Sequence, residues 1–496
     1  MPQLQTLQEQ QAKPDLTTKT YKSIVLINPA YAVETGKDRK ETYQAAILPP
    51  LGMLTLAGEL EKHHYIVHFI DAEVELMTDE DMLKKIVALK PDVVGMYCIS
   101  ANFQRLTELS KKIKQNVGSL IFFGGPHVWH NWAETVNSGA VDFAVVGEGE
   151  KTCVELLDKL NKQEPLGDIK GVAYKDKDRV AFAGARPFLT DLNELAYAAF
   201  HLVDINKYKP SPQHVLRRPS VTMMAARGCP FRCTFCYVPY LFEGTYRTRS
   251  VDHVIGEIKS LVEQQGVKEV QFMDDLFGAN KKWLEEFLDR LIAEKIDITW
   301  SCLTRLDIMD WRLARKMKQA GCWCIFFGME SLDQEVLNAI NKRQTVEQIE
   351  RAIKACQEIG IQIRANFILG SPTETPEKAR KMIQRICELN PDYVKFNVMC
   401  PYPGTTIYKQ VKEEGKWGKL IEDYDSDKLT NHEIVFVPFG YKNAEEVAKM
   451  RTYAYRKYYF RPRYLWSRIK SIHSWYDVVR YWRGFKLIYR RYGYGF

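Results

Sequence analysis

In the first third of the chain, apolar residues gather in short β-branched runs separated by stretches of helical period. The runs fall at 23–28, 66–70, 93–97, 120–123 and 143–146. Between them, 79–89 and 103–117 place apolar residues three or four apart, the spacing that turns one helix face toward a core. Strands alternating with helix-length segments predict an α/β domain with a doubly wound, Rossmann-like parallel sheet. Such sheets take ligands in the crevice at their strand carboxyl ends, so the loops there carry the interest.

A second strand and helix series starts further on. Its strand candidates are 221–226, 269–273, 298–302, 324–327, 361–367 and 393–398, each followed by a helix-like stretch. If these close into a barrel, the reactive residues belong at the strand carboxyl ends. The stretch 162–219 reads as a linker, with a small hairpin suggested at 171–174 and 180–182. Beyond 405 the pattern turns helical, with amphipathic segments at 444–459 and 475–489. The expected organisation is therefore a lead-in at 1–22, a Rossmann-like domain at 23–161, a linker at 162–219, a barrel at 220–405 and a helical region at 406–496.

At 496 residues the chain is too long for one core, and 46% apolar with 27% charged residues is the balance of a globular protein. Eleven cysteines in this length do not make a disulfide scaffold. Eight of them, Cys153, Cys322 and Cys356 included, read as isolated strand or helix positions, and the expected compartment is a reducing cytoplasm. Residues 1–22 are polar and lack a signal peptide's apolar core, so a disordered lead-in is expected. No apolar stretch approaches the roughly 20 residues that span a bilayer. The net charge of +8 is concentrated at one end, because residues 451–496 hold twelve Lys or Arg against one Asp.

The remaining three cysteines, Cys229, Cys233 and Cys236, lie together in Arg227-Gly-Cys-Pro-Phe-Arg-Cys-Thr-Phe-Cys-Tyr237. Three thiolates on one loop can hold three irons of a 4Fe-4S cube and leave the fourth open. A zinc site would need a fourth ligand at a familiar spacing, and none lies nearby. This C-x3-C-x2-C loop, with Phe235 before its last cysteine, resembles that of the radical S-adenosylmethionine (SAM) superfamily. The resemblance implies a partial (β/α)6 barrel in which SAM chelates the open iron and is cleaved to a 5′-deoxyadenosyl radical.

The other barrel loops extend the resemblance. After the second strand, Asp274 and Asp275 in Met273-Asp-Asp-Leu-Phe277 are expected to accept hydrogen bonds from the SAM ammonium; a helix N-cap is the plainer reading. After the third, Arg305 is expected to form a bidentate pair with the SAM carboxylate, unless its neighbour Asp307 takes it as an internal salt bridge. At the end of the fourth, Gly328-Met-Glu330-Ser331 offers close backbone approach at Gly328 and a paired ribose acceptor at Glu330, with Ser331 in the same set. Loops 366–374 and 401–405 follow strands five and six.

The N-terminal block is similar to the cobalamin-binding domain of a large radical SAM subgroup. Its expected cobalamin residues are Pro50 and Gly52 at a helix start, Ser100 after the third strand, Gly124, Gly125 and His127 after the fourth, and Gly147, Glu148 and Gly149 after the fifth. Glycines there let backbone amides approach the cofactor, and the following helix N-termini add a favourable dipole. The Asp-x-His-x-x-Gly motif that supplies a cobalt ligand in mutases is absent from this block, so cobalamin is expected without a protein histidine on cobalt.

The resemblance implies an enzyme with 4Fe-4S, SAM and cobalamin that modifies an unactivated carbon, most simply by methylation. Methylcobalamin would give a methyl group to the substrate radical and a second SAM would restore it. Non-methylating chemistry such as oxidative cyclisation of a tetrapyrrole is the alternative. A SAM or cobalamin sensor would not need a reducible cluster, and tRNA methylthiotransferases carry a further cysteine trio that is not found here. The implied partners are a small-molecule or lipid substrate and an electron donor such as flavodoxin or ferredoxin. Sixteen Phe, Tyr or Trp residues interleave the cations of 451–496. They fit a structural cap, peripheral contact with an anionic membrane, or, less well, nucleic acid.

Overall fold

The computed structural model describes residues 20–30, 48–210, 214–421, 434–472, 475–489 and 492. The expected lead-in lies outside them apart from Thr20, Tyr21 and Lys22. The chain divides into two compact units, one built mainly from 52–189 and the other mainly from 204–496.

In the first unit, β1 (Ser23–Asn28) carries Ile24, Val25, Leu26 and Ile27 without exposure on either face, as a central strand covered by helices on both sides must. It pairs in parallel with β2 (Ile66–Asp71) on one side and β3 (Val93–Tyr97) on the other. β4 (Leu120–Gly124) and β5 (Phe143–Val145) continue the parallel sheet beyond β3. The strand order therefore reverses between β1 and β3, the place where doubly wound sheets open a crevice. Local chemistry fixes the boundaries: Thr78 and Asp81 form a capping box that starts the helix Asp79–Leu89.

The stretch 162–219 is more than a linker. Its hairpin, β6 (Val172–Asp176) and β7 (Arg179–Phe182), adds antiparallel to β5 and completes a seven-stranded sheet. Without it β5 would be an open edge, and Val172 and Ala173 would lose their burial.

The second unit holds β8 (Ser220–Met223), β9 (Ala226–Gly228), β10 (Tyr246–Thr248), β11 (Glu269–Phe272), β12 (Thr299–Thr304), β13 (Cys322–Glu330), β14 (Gln362–Leu369) and β15 (Tyr393–Val398). Six of these, β8 and β11 to β15, pair in parallel in sequence order as the strands of a partial barrel. The period of two separates its faces. Val270, Phe272, Ile325, Phe327, Ala365 and Phe367 are buried on one, while Thr222, Gln271, Ser301, Arg364 and Asn366 alternate onto the other.

A strand at the end of an open sheet leaves backbone groups unpaired. The helix Ala444–Tyr459 covers β15, where the Tyr459 hydroxyl accepts from Val394 N (3.0 Å) and donates to Val394 O (2.6 Å). The Tyr455 hydroxyl accepts from Phe396 N (3.3 Å). The first part of the basic aromatic tail is thus a structural cap, extended by Tyr464 donating to Asp392 O and Arg468 pairing with Asp392 at 3.0 Å. The later helices Pro462–Lys470 and Trp475–Ile488 instead leave Trp466, Ile469, Trp475 and Trp482 exposed. Among the described residues no helix is long and apolar enough to cross a membrane.

Candidate functional site

The chain leaves β8, passes Ala225, forms β9 and enters the cysteine loop, returning through β10. Gly228 sits at φ +86°, and a Cβ there would stand 2.3 Å from Thr245 O, so only glycine fits. Both aspartates after β11 brace this entry. Asp274 Oδ1 accepts from Ala225 N (2.7 Å) and Ala226 N (3.1 Å), while Asp275 Oδ2 accepts from Gly228 N (3.0 Å). Burial pushes the Asp274 carboxyl up to about 7 and that of Asp275 upward. Asp274 is only 2% exposed and its first role is to hold backbone; Asp275 is the more accessible of the two.

Two further segments, 340–341 and that around Ile407, fix the cysteine segment. Thr234 N donates to Ile340 O (3.0 Å), Ile407 N to Thr234 O (3.0 Å), and Asn341 Nδ2 to Arg232 O (2.7 Å). Burial raises the Cys229 thiol and pushes Cys236 up to about 12, with neighbouring cysteines adding to both shifts. The three sulfurs are therefore within electrostatic reach of one another, and binding a metal there must release protons. Among the described residues no three His, Cys, Asp or Glu side chains converge on a single-ion position. In a cube each thiolate would meet a different iron, so three cysteines on one loop need not converge on one point. Of the other cysteines, Cys322 Sγ donates to Cys324 O at 3.8 Å, and burial, with Cys322 nearby, raises the Cys302 thiol.

Arg305 reaches into the loop from the end of β12. Its Nη1 lies 3.3 Å from Cys233 Sγ, its Nη2 donates to Lys342 O (2.6 Å), and the guanidinium stacks 3.7 Å from the Phe231 ring centroid. The fork expected to meet a SAM carboxylate instead grips Asp307, with Nε at 3.0 Å from Oδ1 and Nη2 at 2.8 Å from Oδ2. The internal salt bridge is the arrangement formed, and it leaves a cation beside the cysteine sulfur.

A register shift at Gly328/Glu330 bulges β13 and places Glu330 at φ +64°, a left-handed conformation uncommon for a non-glycine residue. The bulge aims Glu330 at Lys342, with Nζ to Oε1 at 2.8 Å and both side chains nearly buried. Gly328 leaves room for this pair, since a Cβ would meet Glu330 Oε1 at 2.4 Å and Lys342 Nζ at 2.9 Å and force those side-chain ends to move. Ser331 Oγ accepts from Asp333 N (3.1 Å), turning the chain after the bulge. Lys342 was not singled out from the sequence. Its segment, Asn341-Lys-Arg-Gln-Thr345, carries no spacing signal, and only folding brings it to Glu330 and Arg305.

In the first unit, Ser100, Gly124, Gly125 and His127 do come together. Gly125 adopts φ +111°, where a Cβ would lie 2.7 Å from Cys98 O. His127 Nδ1 is 3.1 Å from Ser100 Oγ and 3.4 Å from Asn131 Nδ2, and its ring stacks on Phe103 at 4.3 Å. Its buried Nε2 makes no hydrogen bond, and burial lowers the imidazole to about 4, so it is neutral at physiological pH. Gly147, at φ +88° with open space around it, and Gly149 follow the neighbouring β5. Glu148 is engaged instead: its Oε2 accepts from Leu189 N at 3.1 Å. Pro50 and Gly52 stand at the start of the helix Leu51–Lys62.

Residues 223–386 match the radical SAM superfamily and residues 44–157 the B12 binding domain. An uncharacterized methyltransferase of Pyrococcus horikoshii is 33% identical over 447 residues, covering 89% of this chain and 94% of the relative. The anaerobic magnesium-protoporphyrin IX monomethyl ester cyclase of Rubrivivax gelatinosus is 27% identical, covering 84% of this chain and 75% of its own length. Among solved structures, the cobalamin-dependent SAM radical enzyme OxsB, with aqua-cobalamin and SAM bound, shares the fold with a TM-score of 0.70 at 16% identity, over 95% of this chain and 73% of OxsB.

Proposed function

Starting from a chain that belongs to the cobalamin-dependent radical SAM methyltransferase family, we propose that it methylates an unactivated carbon at the carboxyl ends of its barrel strands. The observation that carries this reading is the braced loop presenting Cys229, Cys233 and Cys236 beside Arg305. Once bound there, a 4Fe-4S cluster with SAM supplies the radical, and cobalamin in the first unit supplies the methyl group.

The residues then divide the work. Cys229, Cys233 and Cys236 hold the cluster, and Arg305 steadies the Cys233 thiolate by a charge-assisted N–H to sulfur contact. Asp275 has capacity left for the SAM ammonium, while Asp274 keeps the loop entry in place. Gly328, Glu330 and Ser331 shape the nucleoside side, with Lys342 setting the direction of the Glu330 carboxylate. In the first unit, the free Nε2 of His127 and the glycines Gly124, Gly125, Gly147 and Gly149 offer the cofactor a donor and close backbone approach, with Ser100 fixing the imidazole. Pro50, Gly52 and Glu148 act at most by holding that frame.

A low-potential donor of the flavodoxin or ferredoxin kind reduces the cluster, and the protein works in the cytoplasm. The helices Pro462–Lys470 and Trp475–Ile488 contact an anionic membrane peripherally, supported by Trp466, Trp475 and Trp482, 60%, 79% and 64% exposed, among Arg463, Lys470, Arg483 and Lys486. Salt-sensitive co-sedimentation with anionic vesicles, lost on replacing the three tryptophans by Ser, tests this contact. Counting nucleosides after anaerobic turnover tests the chemistry. Methylation yields S-adenosylhomocysteine together with 5′-deoxyadenosine, whereas 5′-deoxyadenosine alone would favour the cyclase-like alternative.

A further inference from the structure

Arg364, the third residue of β14, is 8% exposed, and among the described residues no carboxylate pairs with it. The groups that touch it are neutral. Nη1 lies 2.7 Å from His214 Nε2 and 3.1 Å from Nδ1, the guanidinium lies 4.7 Å from the Phe326 ring centroid, and Nε makes no hydrogen bond. Other buried cations of this unit are matched: Arg249 pairs with Glu257 at 2.6 Å, Arg305 with Asp307 and Lys342 with Glu330. A buried charge without a counter-ion is costly and uncommon, so a fold that retains one points to an ion supplied from outside.

The surroundings are prepared for the same ion. Strand register places Phe326 level with Arg364, and Asn366 level with Gly328 and Lys395, on one sheet face. His214 bridges to Gln271, whose Nε2 is 3.2 Å from Nδ1. Burial, then the charges of Arg364 and Lys395, push the His214 imidazole well down, so it adds no charge but remains able to donate. Ser301 Oγ is buried on this face without a hydrogen bond and can donate to an anion, whereas the unpaired Gln271 Oε1 and Asn366 Oδ1 are acceptors and suit an N–H or O–H group of the same molecule.

We propose that Arg364, His214 and Gln271, with Lys395 beside them, form an anion-binding subsite that receives a carboxylate or phosphate group of the substrate. The assignment rests on the reading of this unit as the catalytic barrel. Arg364 lies two residues before Asn366, about 7 Å below the Gly328 level at which the strand-end residues gather. A substrate anchored there by its anionic end directs the remainder toward Glu330 and the cysteine loop.

The test follows the thermal midpoint of the full chain titrated with inorganic phosphate or with acetate, against chloride at matched ionic strength. The wild type should be stabilised saturably by at least one of them, phosphate indicating a phosphorylated substrate and acetate a carboxylic acid. Arg364→Met should raise the half-saturating concentration about tenfold or more, since a charged hydrogen-bonding partner is lost. Without added anion it should be no less stable than wild type, because the uncompensated charge is gone. Lys395→Met, at a partly exposed position, should weaken the response in the same direction and serves where Arg364→Met fails to fold. An unchanged response in the variants, or none in the wild type, overturns the subsite. SAM cleavage by the wild type is measured alongside: cleavage without an anion response removes only the subsite, whereas an anion response without cleavage removes the barrel reading on which it rests.

Discussion

Arg305 is the side chain whose loss the structure prices most clearly. Arg305→Met keeps the aliphatic volume over Phe231 but removes two hydrogen bonds to Asp307, one to Lys342 O and the contact to Cys233 Sγ. Breaking a buried ion pair from one side costs about 3–5 kcal/mol. Asp307 is itself 14% exposed and keeps Gln344 Nε2 at 3.0 Å, which puts the loss at the lower end, about 3 kcal/mol. For a unit of this size that is a fall of about 6 °C in the thermal midpoint of the metal-free chain. Arg305→Lys restores the charge without the fork and should recover about half of it. In anaerobically reconstituted protein, iron should stay near the wild-type level while SAM cleavage drops on the order of tenfold, the usual scale for a group that supports a metal ligand. A midpoint within about 1 °C of wild type would refute the ion-pair argument, and unchanged cleavage would refute the support of Cys233.

Replacing Cys229, Cys233 or Cys236 by Ala should each lower iron well below the wild-type content and abolish SAM cleavage, and full loading in all three variants would remove the cluster assignment. Tyr459→Phe strips both hydrogen bonds from Val394 at the sheet edge and should cost about 2–4 kcal/mol, read as earlier urea unfolding of the second unit. Glu269 and Glu374 are buried, and burial pushes both carboxyls up to about 7 from an ordinary value of 4.5. The native state then holds more protons than the unfolded chain between those values, so their stabilisation is complete below 4.5 and lost as pH rises through 7. The thermal midpoint should fall over that interval, and Glu374→Gln, which keeps an acceptor for Gly370 N and the Tyr441 hydroxyl, should flatten the fall. His127→Ala should leave cobalamin bound with an unaltered cobalt spectrum, whereas a changed axial band would show that Nε2 ligates the metal.

What the sequence determined by itself is whatever depends on near neighbours. The cysteine spacing, the strand and helix alternation and the glycines at strand ends each act over a few residues, so the two α/β units and the loop Cys229 to Cys236 were legible without coordinates. The helix at 444–459 was legible for the same reason, as its period is local. Partnership was not. For Arg305 the sequence left open a SAM carboxylate or Asp307, and for Asp274 a SAM contact or a helix cap; folding gives the Arg305 fork to Asp307 and Asp274 Oδ1 to Ala225 and Ala226. The hairpin at 172–182 looked detached until β5 presented an edge for it to complete. The tail's aromatics looked alike in composition, but only some of them, such as Tyr455 and Tyr459, lie over the exposed backbone of β15, while Trp475 and Trp482 lie beyond it. His214 and Arg364 are 150 residues apart, and Arg305 and Cys233 are 72 apart. Tertiary structure decides such pairs because hydrogen bonds and ion pairs depend on ångström distances between residues that no local period relates.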